Sequence, residues 1–176
     1  MDISNSLDKN GFIIRQSKLT DIPFGKYTAN KSGCGLIATY NAIKAAGIKP
    51  DLDDLIKHFQ HGLWVSGKYG ANAFQISGYL HKYHLDNGYL LCKKNFSKID
   101  IGILWYKHSG GWHYVAFYSV GNGKFNFLNA DEKKSTNICT MNEFFNRYVK
   151  SKVCAVFVVK KGRWLYVFKC KRTMFG

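Results

Sequence analysis

Residues 30–36 read NKSGCGL, and this stretch decides how the rest of the chain is interpreted. Ser32 can act as the N-cap of a helix, which places Cys34 in the first helical turn. The free backbone N–H groups and the helix dipole at that end lower the pKa of a thiol. Gly33 and Gly35 leave the sulfur open to a substrate. The pattern therefore predicts a reactive cysteine whose own backbone N–H can stabilise an oxyanion.

The alternative fate of a cysteine is burial as an inert side chain. We expect that fate for the other four cysteines, which lie in or near strand-like stretches: Cys92, Cys139, Cys154 and Cys170. The chain has no CxxC pair and no zinc-ribbon spacing, and a disulfide scaffold is disfavoured at 176 residues. A reducing compartment is therefore expected, in which Cys34 stays a free thiol.

The first half of the chain is predominantly helical in its apolar pattern. Residues 1–30 show no regular periodicity and are interpreted as an irregular lead-in. A first helix is predicted over residues 33–47, and Gly47 is a typical helix C-terminal residue. A second helix begins at Pro50, and a third covers residues 71–84 with Phe74 among its core candidates.

After Gly88 the pattern changes to short apolar stretches rich in branched and aromatic residues. The predicted strands cover residues 89–92, 101–106, 112–120, 124–129, 153–159 and 164–170. A helix over residues 141–149 interrupts them, and Thr140 with Glu143 forms a capping-box signature at its start. Helices followed by an antiparallel sheet predict an α+β fold, which we assign to one domain over residues 1–176.

A thiol nucleophile needs a base within hydrogen-bond reach and a group that orients the base. Of the six histidines, His113 begins a strong strand directly after Gly-Gly-Trp, while His108 lies in a predicted turn. The other four form two His-x-x-His pairs on predicted helices: His58 with His61, and His81 with His84. Such pairs can bind zinc, but no HExxH-type motif accompanies them, so surface positions are the preferred interpretation and no metal is predicted.

The order of these motifs carries a resemblance to a known family. Cys-Gly at the start of an Ala-rich helix is followed by a second helical region, by His-Tyr-Val in a strand, and by Asn129 closing the next strand. Over roughly residues 30–131 the chain resembles the papain-like cysteine peptidases, and most of all the branch that cleaves double-glycine leader peptides of bacteriocins. The resemblance implies a papain-like fold, Cys34 as nucleophile, His113 as base and Asn129 as orienter. It also implies a peptide or protein substrate and no cofactor.

The chain departs from the family at one functional position. The family has a glutamine six residues before the cysteine, whose side chain donates to the oxyanion; here that position is Thr28. Asn30 is the nearest carboxamide and is the candidate oxyanion donor. Without such a donor the rate falls by about 100-fold or more, so a weakened or inactive member of the family is an open alternative.

The turn between two predicted strands decides whether His113 and Asn129 share a face of the sheet. A two-residue turn puts Asn129 opposite Ala116, on the face away from His113. A three-residue loop over residues 121–123 shifts the register by one and places the two residues on the same face. The proposed triad therefore requires this loop or another of odd length. That register also puts Asp131 opposite His113, which makes Asp131 the alternative orienter.

The net charge is +15, from 26 basic and 11 acidic residues. Eight Lys or Arg and no Asp or Glu lie between Lys150 and the C-terminus. This basic C-terminal segment predicts either an anionic partner or a solvated face that keeps the protein soluble. No nucleic-acid motif accompanies the charge.

Targeting signals are absent from the sequence pattern. Charged residues within the first 20 positions leave no room for a signal-peptide core, and no run of about 18 apolar residues predicts a membrane span. A cytoplasmic location is expected, with non-Sec export left open. Two functions remain: a thiol hydrolase acting on a peptide or related amide bond, or a non-catalytic papain-like module that binds an anionic partner.

Overall fold

The computed structural model describes residues 2–61, 67, 70–90, 99–133, 137–150 and 154–161. Within these ranges, helices in the first half precede a six-stranded antiparallel sheet in the second. The predicted α+β fold is therefore confirmed. The predicted strand over residues 164–170, most of the basic C-terminal segment, Cys92 and Cys170 lie outside the described residues.

The lead-in carries short elements that the sequence pattern did not reveal. Two 3-10 turns occur at Ser4–Ser6 and Gln16–Lys18. They are followed by a small hairpin of β1 (Pro23–Phe24) and β2 (Tyr27–Thr28), and by the single helical turn α1 (Ala29–Ser32). Apolar side chains of the lead-in are buried in the same core as the helices: Phe12, Ile13, Ile14, Leu19, Ile22 and Phe24. The lead-in is thus part of the core.

Three longer helices follow, close to their predicted positions: α2 (Cys34–Ala45), α3 (Leu52–Gln60) and α4 (Ala73–Lys82). The prediction that Phe74 is a core residue is wrong, because its side chain is 83% exposed. The buried face of α4 instead includes Ile76 and Leu80. Phe74 lies two residues before Ile76, which in a helix puts it on nearly the opposite side.

The sheet contains β3 (Leu85–Leu90), β4 (Ile101–His108), β5 (Gly111–Gly121), β6 (Lys124–Leu128), β7 (Ile138–Thr140), and, after helix α5 (Met141–Tyr148), β8 (Ala155–Lys161). Their order across the sheet is β3-β8-β4-β5-β6-β7. The short strand β7 was not predicted, and β3 begins at Leu85 rather than at residue 89. The Thr140 capping box at the start of α5 is confirmed.

Both faces of the sheet are covered, and successive side chains of β5 point alternately into two separate cores. Tyr114 and Ala116 pack with α2 and the lead-in on one face. Val115 and Phe117 pack with α5 on the other. The candidate site therefore lies at the first residues of β5, where helix α2 begins on one side and α5 ends on the other.

Candidate active site

Cys34 is the first residue of α2, so its thiol lies at the helix N-terminus as predicted. The predicted cap is wrong: Ser32 belongs to α1, and Gly33 is the N-cap, without a side-chain cap. The flanking glycines permit close packing. A Cβ on Gly33 would lie 2.6 Å from the Ala29 oxygen, and a Cβ on Gly35 would lie 2.6 Å from the Ala71 Cβ. The close approach of α1 and of the segment before α4 to this helix end requires both glycines.

The predicted lowering of the Cys34 pKa is also wrong. Burial raises the pKa of the Cys34 thiol, because a thiolate loses its hydration in this half-buried position. Backbone amides of Tyr114, Gly35 and Cys34 itself act in the opposite direction but do not overcome the burial. The thiol is therefore protonated near neutral pH, and a base must remove its proton before or during attack.

His113 is held by the main chain of a neighbouring loop. Its Nε2 lies 2.9 Å from the backbone oxygen of Asn129. A carbonyl oxygen only accepts, so Nε2 carries the hydrogen and Nδ1 keeps its lone pair. Burial lowers the pKa of His113, while the Asn129 hydrogen bond and the Glu132 carboxylate raise it by less. The imidazole is therefore neutral near neutral pH, which is the form that accepts a proton.

Tyr106 is a neighbour of both the thiol and the imidazole. It pairs with His113 across β4 and β5, and the two rings meet edge-on with centroids 5.9 Å apart. Burial raises the pKa of the Tyr106 phenol, and the nearby groups of Tyr148 and Cys34 add to the rise. Cys34 and His113 thus share a neighbour, although no hydrogen bond joins their side chains in the described part of the chain.

A β-bulge sets the register between β5 and β6. The turn has two residues, Asn122 and Gly123, rather than the three that were predicted. Between Ser119 and Gly121 a bulge shifts the pairing of the two strands by one residue, so Ala116 pairs with Leu128. If the same pairing is continued by one residue, Val115 lies opposite Asn129. The predicted register is therefore correct, and a bulge rather than a longer loop produces it.

Asn129 leaves the strand in the left-handed region, with φ of 65°. Its main-chain oxygen faces His113, while its side chain bonds to Gln16: Oδ1 accepts from the Gln16 backbone N–H at 3.3 Å, and Nδ2 donates to Gln16 Oε1 at 3.1 Å. Asparagine tolerates this backbone conformation better than most residues. The orienting contact that the structure provides therefore comes from the backbone of Asn129.

Gln16 is the site residue that the sequence did not reveal. Its Nε2 donates to the backbone oxygens of Ala29 at 3.1 Å and Asn30 at 3.3 Å, and so reaches α1. Gln16 lies 113 residues from Asn129 in the chain and belongs to no periodic pattern. No local signal could have identified it.

The remaining candidate residues lie around this centre. The Asn30 Oδ1 accepts from the Thr28 hydroxyl, so Nδ2 is the group that an oxyanion would use. Asp131 Oδ1 accepts from the Lys133 backbone N–H at 3.1 Å. His108 Nδ1 accepts from the Gly110 N–H, and its ring centroid is 5.6 Å from that of His113. The roles of Asn30 and Asp131 stay predictions.

A half-open cavity of about 230 Å³ reaches the imidazole from the α5 side. Its walls are formed by Gln16, Tyr106, His108, Ser109, His113, Asn129, Ala130, Glu132, Arg147, Tyr148 and Lys150. Arg147 and Lys150 form no salt bridge among the described residues, whereas Glu132 accepts a backbone hydrogen bond from Ser17 at 2.7 Å. The cavity therefore has a net positive lining and room for about one side chain.

Cys139, Cys154 and His58 fit structural roles. Cys139 and Cys154 are buried, as predicted. His58 Nε2 lies 2.9 Å from the Gln75 backbone oxygen. In the described ranges, no three His, Cys, Asp or Glu side chains are grouped so that they could hold a metal ion. No helix there is both long and apolar enough to cross a membrane.

No protein-family model matches the chain, and no curated protein matches it. Solved structures do match in fold. The peptidase domain of Streptococcus ComA, a bi-functional ABC transporter involved in quorum sensing, is 14% identical with a TM-score of 0.50, over 72% of this chain and 91% of that domain. A double-glycine-motif protease from an AMS/PCAT transporter, solved with its leader peptide, is 13% identical with a TM-score of 0.44, over 72% and 84% of the two chains. The ComA similarity confirms the predicted papain-like architecture.

Proposed function

We propose that this chain is a thiol hydrolase that cleaves a peptide or related amide bond through a thioester on Cys34. His113 acts as base and then as acid, and Asn129 orients it. One observation carries the proposal: the hydrogen bond from His113 Nε2 to the Asn129 oxygen, with Tyr106 as a neighbour of both the imidazole and the Cys34 thiol at its helix N-terminus. That bond leaves Nδ1 as the proton acceptor of a neutral imidazole, which is the partner that a protonated thiol requires.

In the first half of the reaction, the Cys34 sulfur attacks the carbonyl carbon as its proton passes to His113 Nδ1. The carbonyl oxygen becomes an oxyanion, which the Cys34 backbone N–H and the Asn30 Nδ2 stabilise. His113 then gives its proton to the leaving amine, the C–N bond breaks, and a thioester remains. Nε2–H stays bonded to Asn129 throughout, so the imidazolium that forms transiently keeps its orientation.

In the second half, His113 takes a proton from a water molecule as that water attacks the thioester carbonyl. The C–S bond breaks, the carboxylic acid leaves, and the proton returns to the sulfur. The hydrogen bond between the thiol and the imidazole must form when substrate binds, because none joins the two side chains in this structure. Catalytic hydrogen bonds are often long or poorly aligned in enzymes without substrate and tighten only in the complex.

The substrate class to test first is a peptide that contains a double glycine. The sequence resemblance supports this choice, and the ComA peptidase domain has a similar fold. The net positive cavity next to His113 would favour an acidic side chain on the substrate residues nearest the leaving amine, since His113 protonates that amine.

The experiment compares the wild-type chain with Cys34→Ala. Both are incubated with synthetic double-glycine peptides and with a mixed peptide library, and mass spectrometry follows cleavage and acylation of Cys34. We expect new C-termini and a trapped acyl adduct for the wild type alone. Identical peptide patterns for both proteins, without an adduct, would contradict the proposal.

The second candidate is a non-catalytic papain-like module. Two observations favour it: the raised pKa of the Cys34 thiol, and Thr28 in place of the family's glutamine. Its partner would be anionic and would contact the basic C-terminal segment. Binding of DNA, RNA and anionic vesicles in a salt series tests this candidate, because charge-driven binding weakens steeply with salt.

A further inference from the structure

We infer that Gln16 is a positioning residue of this site, which holds the Asn129 backbone against His113 and ties it to the turn that precedes Cys34. This inference rests on the proposed thiol chemistry. Gln16 was predicted by no motif, and its role follows from the way both ends of its carboxamide are used.

The two ends of the carboxamide bind two separate parts of the site. Oε1 accepts from Asn129 Nδ2 at 3.1 Å, and Nε2 donates to Ala29 and Asn30 oxygens at 3.1 and 3.3 Å. The Gln16 backbone N–H adds a further bond to Asn129 Oδ1 at 3.3 Å. One residue therefore connects the loop that holds the base to the helical turn α1.

The Asn129 backbone needs this support. A non-glycine residue at φ of 65° is in a sparsely populated conformation that persists only where its surroundings hold it. The same conformation directs the Asn129 oxygen to His113 Nε2. Because Gln16 binds both polar ends of the Asn129 side chain, it restrains rotation of that residue and so the direction of its carbonyl.

The other end of the connection lies close to the nucleophile. α1 ends at Ser32, and only Gly33 separates it from Cys34. Gln16 therefore links the segment that precedes the thiol to the loop that holds the imidazole, without touching either reacting atom. A shift of about 1 Å in the position of a reacting group lowers a rate by as much as 100-fold.

The bonding pattern requires a carboxamide. Glutamate has the same shape, but the oxygen that replaces Nε2 would face the carbonyl oxygens of Ala29 and Asn30 without a hydrogen to donate. Asparagine keeps both groups on a side chain one methylene shorter, so it reaches only one side. Gln16→Glu and Gln16→Asn therefore remove the connection while keeping a polar residue.

Gln60 offers a matched control elsewhere in the fold. Its Nε2 donates to the Pro23 oxygen and its Oε1 accepts from the Gly25 N–H at 3.0 Å, so it also bridges two backbone groups. Gln60→Glu makes the same chemical change in a bridge that does not contact His113, Asn129 or Cys34.

The test uses the full chain and two independent readouts. The first is ¹⁵N NMR of the His113 ring at neutral pH, which reports the tautomer without any need for turnover. The second is kcat and KM on a cleavable peptide. For Gln16→Glu and Gln16→Asn we expect a mixture of tautomers and a fall in kcat of about 10- to 100-fold with KM nearly unchanged. Gln60→Glu should keep the wild-type tautomer and kcat.

The outcomes separate the inference from the proposed function. A folded Gln16 variant that keeps the pure Nε2–H tautomer overturns the role of Gln16, whatever its activity. A wild-type chain that cleaves no peptide overturns the proposed function, while the NMR comparison still decides whether Gln16 positions His113. If Gln16→Glu does not fold, Gln16→Asn decides, and unfolding of both assigns Gln16 to stability alone and overturns the inference.

Discussion

The His113 imidazole bonds to the main-chain oxygen of Asn129 at 2.9 Å, while the Asn129 side chain points to Gln16. A backbone carbonyl cannot be removed by substitution, so the contribution of Asn129 depends on its conformation. Side-chain substitutions at this position act through the backbone dihedral angle and through the bonds to Gln16.

This relationship predicts different effects for two substitutions of Asn129. Both Asn129→Gly and Asn129→Ala lose the bonds to Gln16, but glycine adopts φ of 65° freely whereas alanine does not. We expect Asn129→Ala to be less stable than Asn129→Gly by about 1 kcal/mol in urea unfolding. Some activity should survive in both variants, since the carbonyl remains. Equal stability would show that the positive φ is not required.

The raised pKa of Cys34 predicts slow alkylation. At pH 6 to 8 the folded thiol should react with iodoacetamide more slowly than a free cysteine peptide, and the rate should rise through the alkaline range, because less thiolate is present. Mass spectrometry of the Cys34 peptide measures the rate, and the urea-unfolded chain is the control. Fast labelling that persists below pH 6 would instead indicate a thiolate–imidazolium pair.

The effect of the Glu132 charge on His113 predicts where the acid limb of the pH–activity profile lies. The negative charge of Glu132 raises the pKa of His113, so Glu132→Gln should lower that pKa further. The base must be unprotonated to act, so the acid limb of kcat/KM should move to lower pH. The Gln side chain keeps an oxygen for the Ser17 N–H. Glu143→Gln, in the α5 capping box, is the control and should leave the limb unchanged; an upward shift in Glu132→Gln would contradict the assignment.

The glycine beside the nucleophile predicts a steric effect on folding. In Gly35→Ala the new methyl group would lie 2.6 Å from the Ala71 Cβ, so α2 or the segment before α4 must move. We expect a loss of about 1–3 kcal/mol in urea unfolding and a lower turnover. Gly88→Ala is the control: nothing lies within 4 Å of its Cβ, and the stability should change by less than about 0.5 kcal/mol. Equal effects would refute close packing at Gly35.

The basic lining of the cavity predicts a preference for acidic peptides. Replacing Arg147 and Lys150 with Gln should weaken binding of an acidic peptide to the Cys34→Ala chain and flatten its salt dependence, because two ionised groups are lost. Fluorescence titration with paired acidic and neutral peptides measures the effect. Lys124→Gln is the control, because Lys124 is exposed and lies outside the cavity lining. It should change peptide affinity little; an equal loss of affinity in this variant would show that net charge, and not the cavity, attracts the peptide.

Some elements of the fold are predictable because their signals are local. The switch from helical to strand-like periodicity, the Thr140 capping box and the stop at Gly47 depend on residues within about four positions of each other. The place of Cys34 at the start of a helix and of His113 in a strand follows from such signals. Phe74 was misplaced because periodicity alone does not say which face of a helix meets the core.

The place of each strand in the sheet is a tertiary property. β8 follows β3 and β4 in the chain, yet it lies between them in the sheet, with both edges paired along part of its length. The β5–β6 register was correctly expected, but a bulge rather than the loop length produces it. Hairpin rules apply to neighbours in sequence, whereas insertion of a strand is decided by which apolar faces pack together.

The sequence by itself determined the order of helices and strands, the nucleophile at a helix N-terminus and the histidine of the adjacent strand. Only the tertiary structure decided that the Cys34 pKa is raised, because desolvation depends on what packs around the sulfur and outweighs the local helix effect. Only the tertiary structure brought Gln16 to Asn129 across 113 residues of chain. Local patterns carry no information about such contacts, since their energy depends on distances in space and not along the chain.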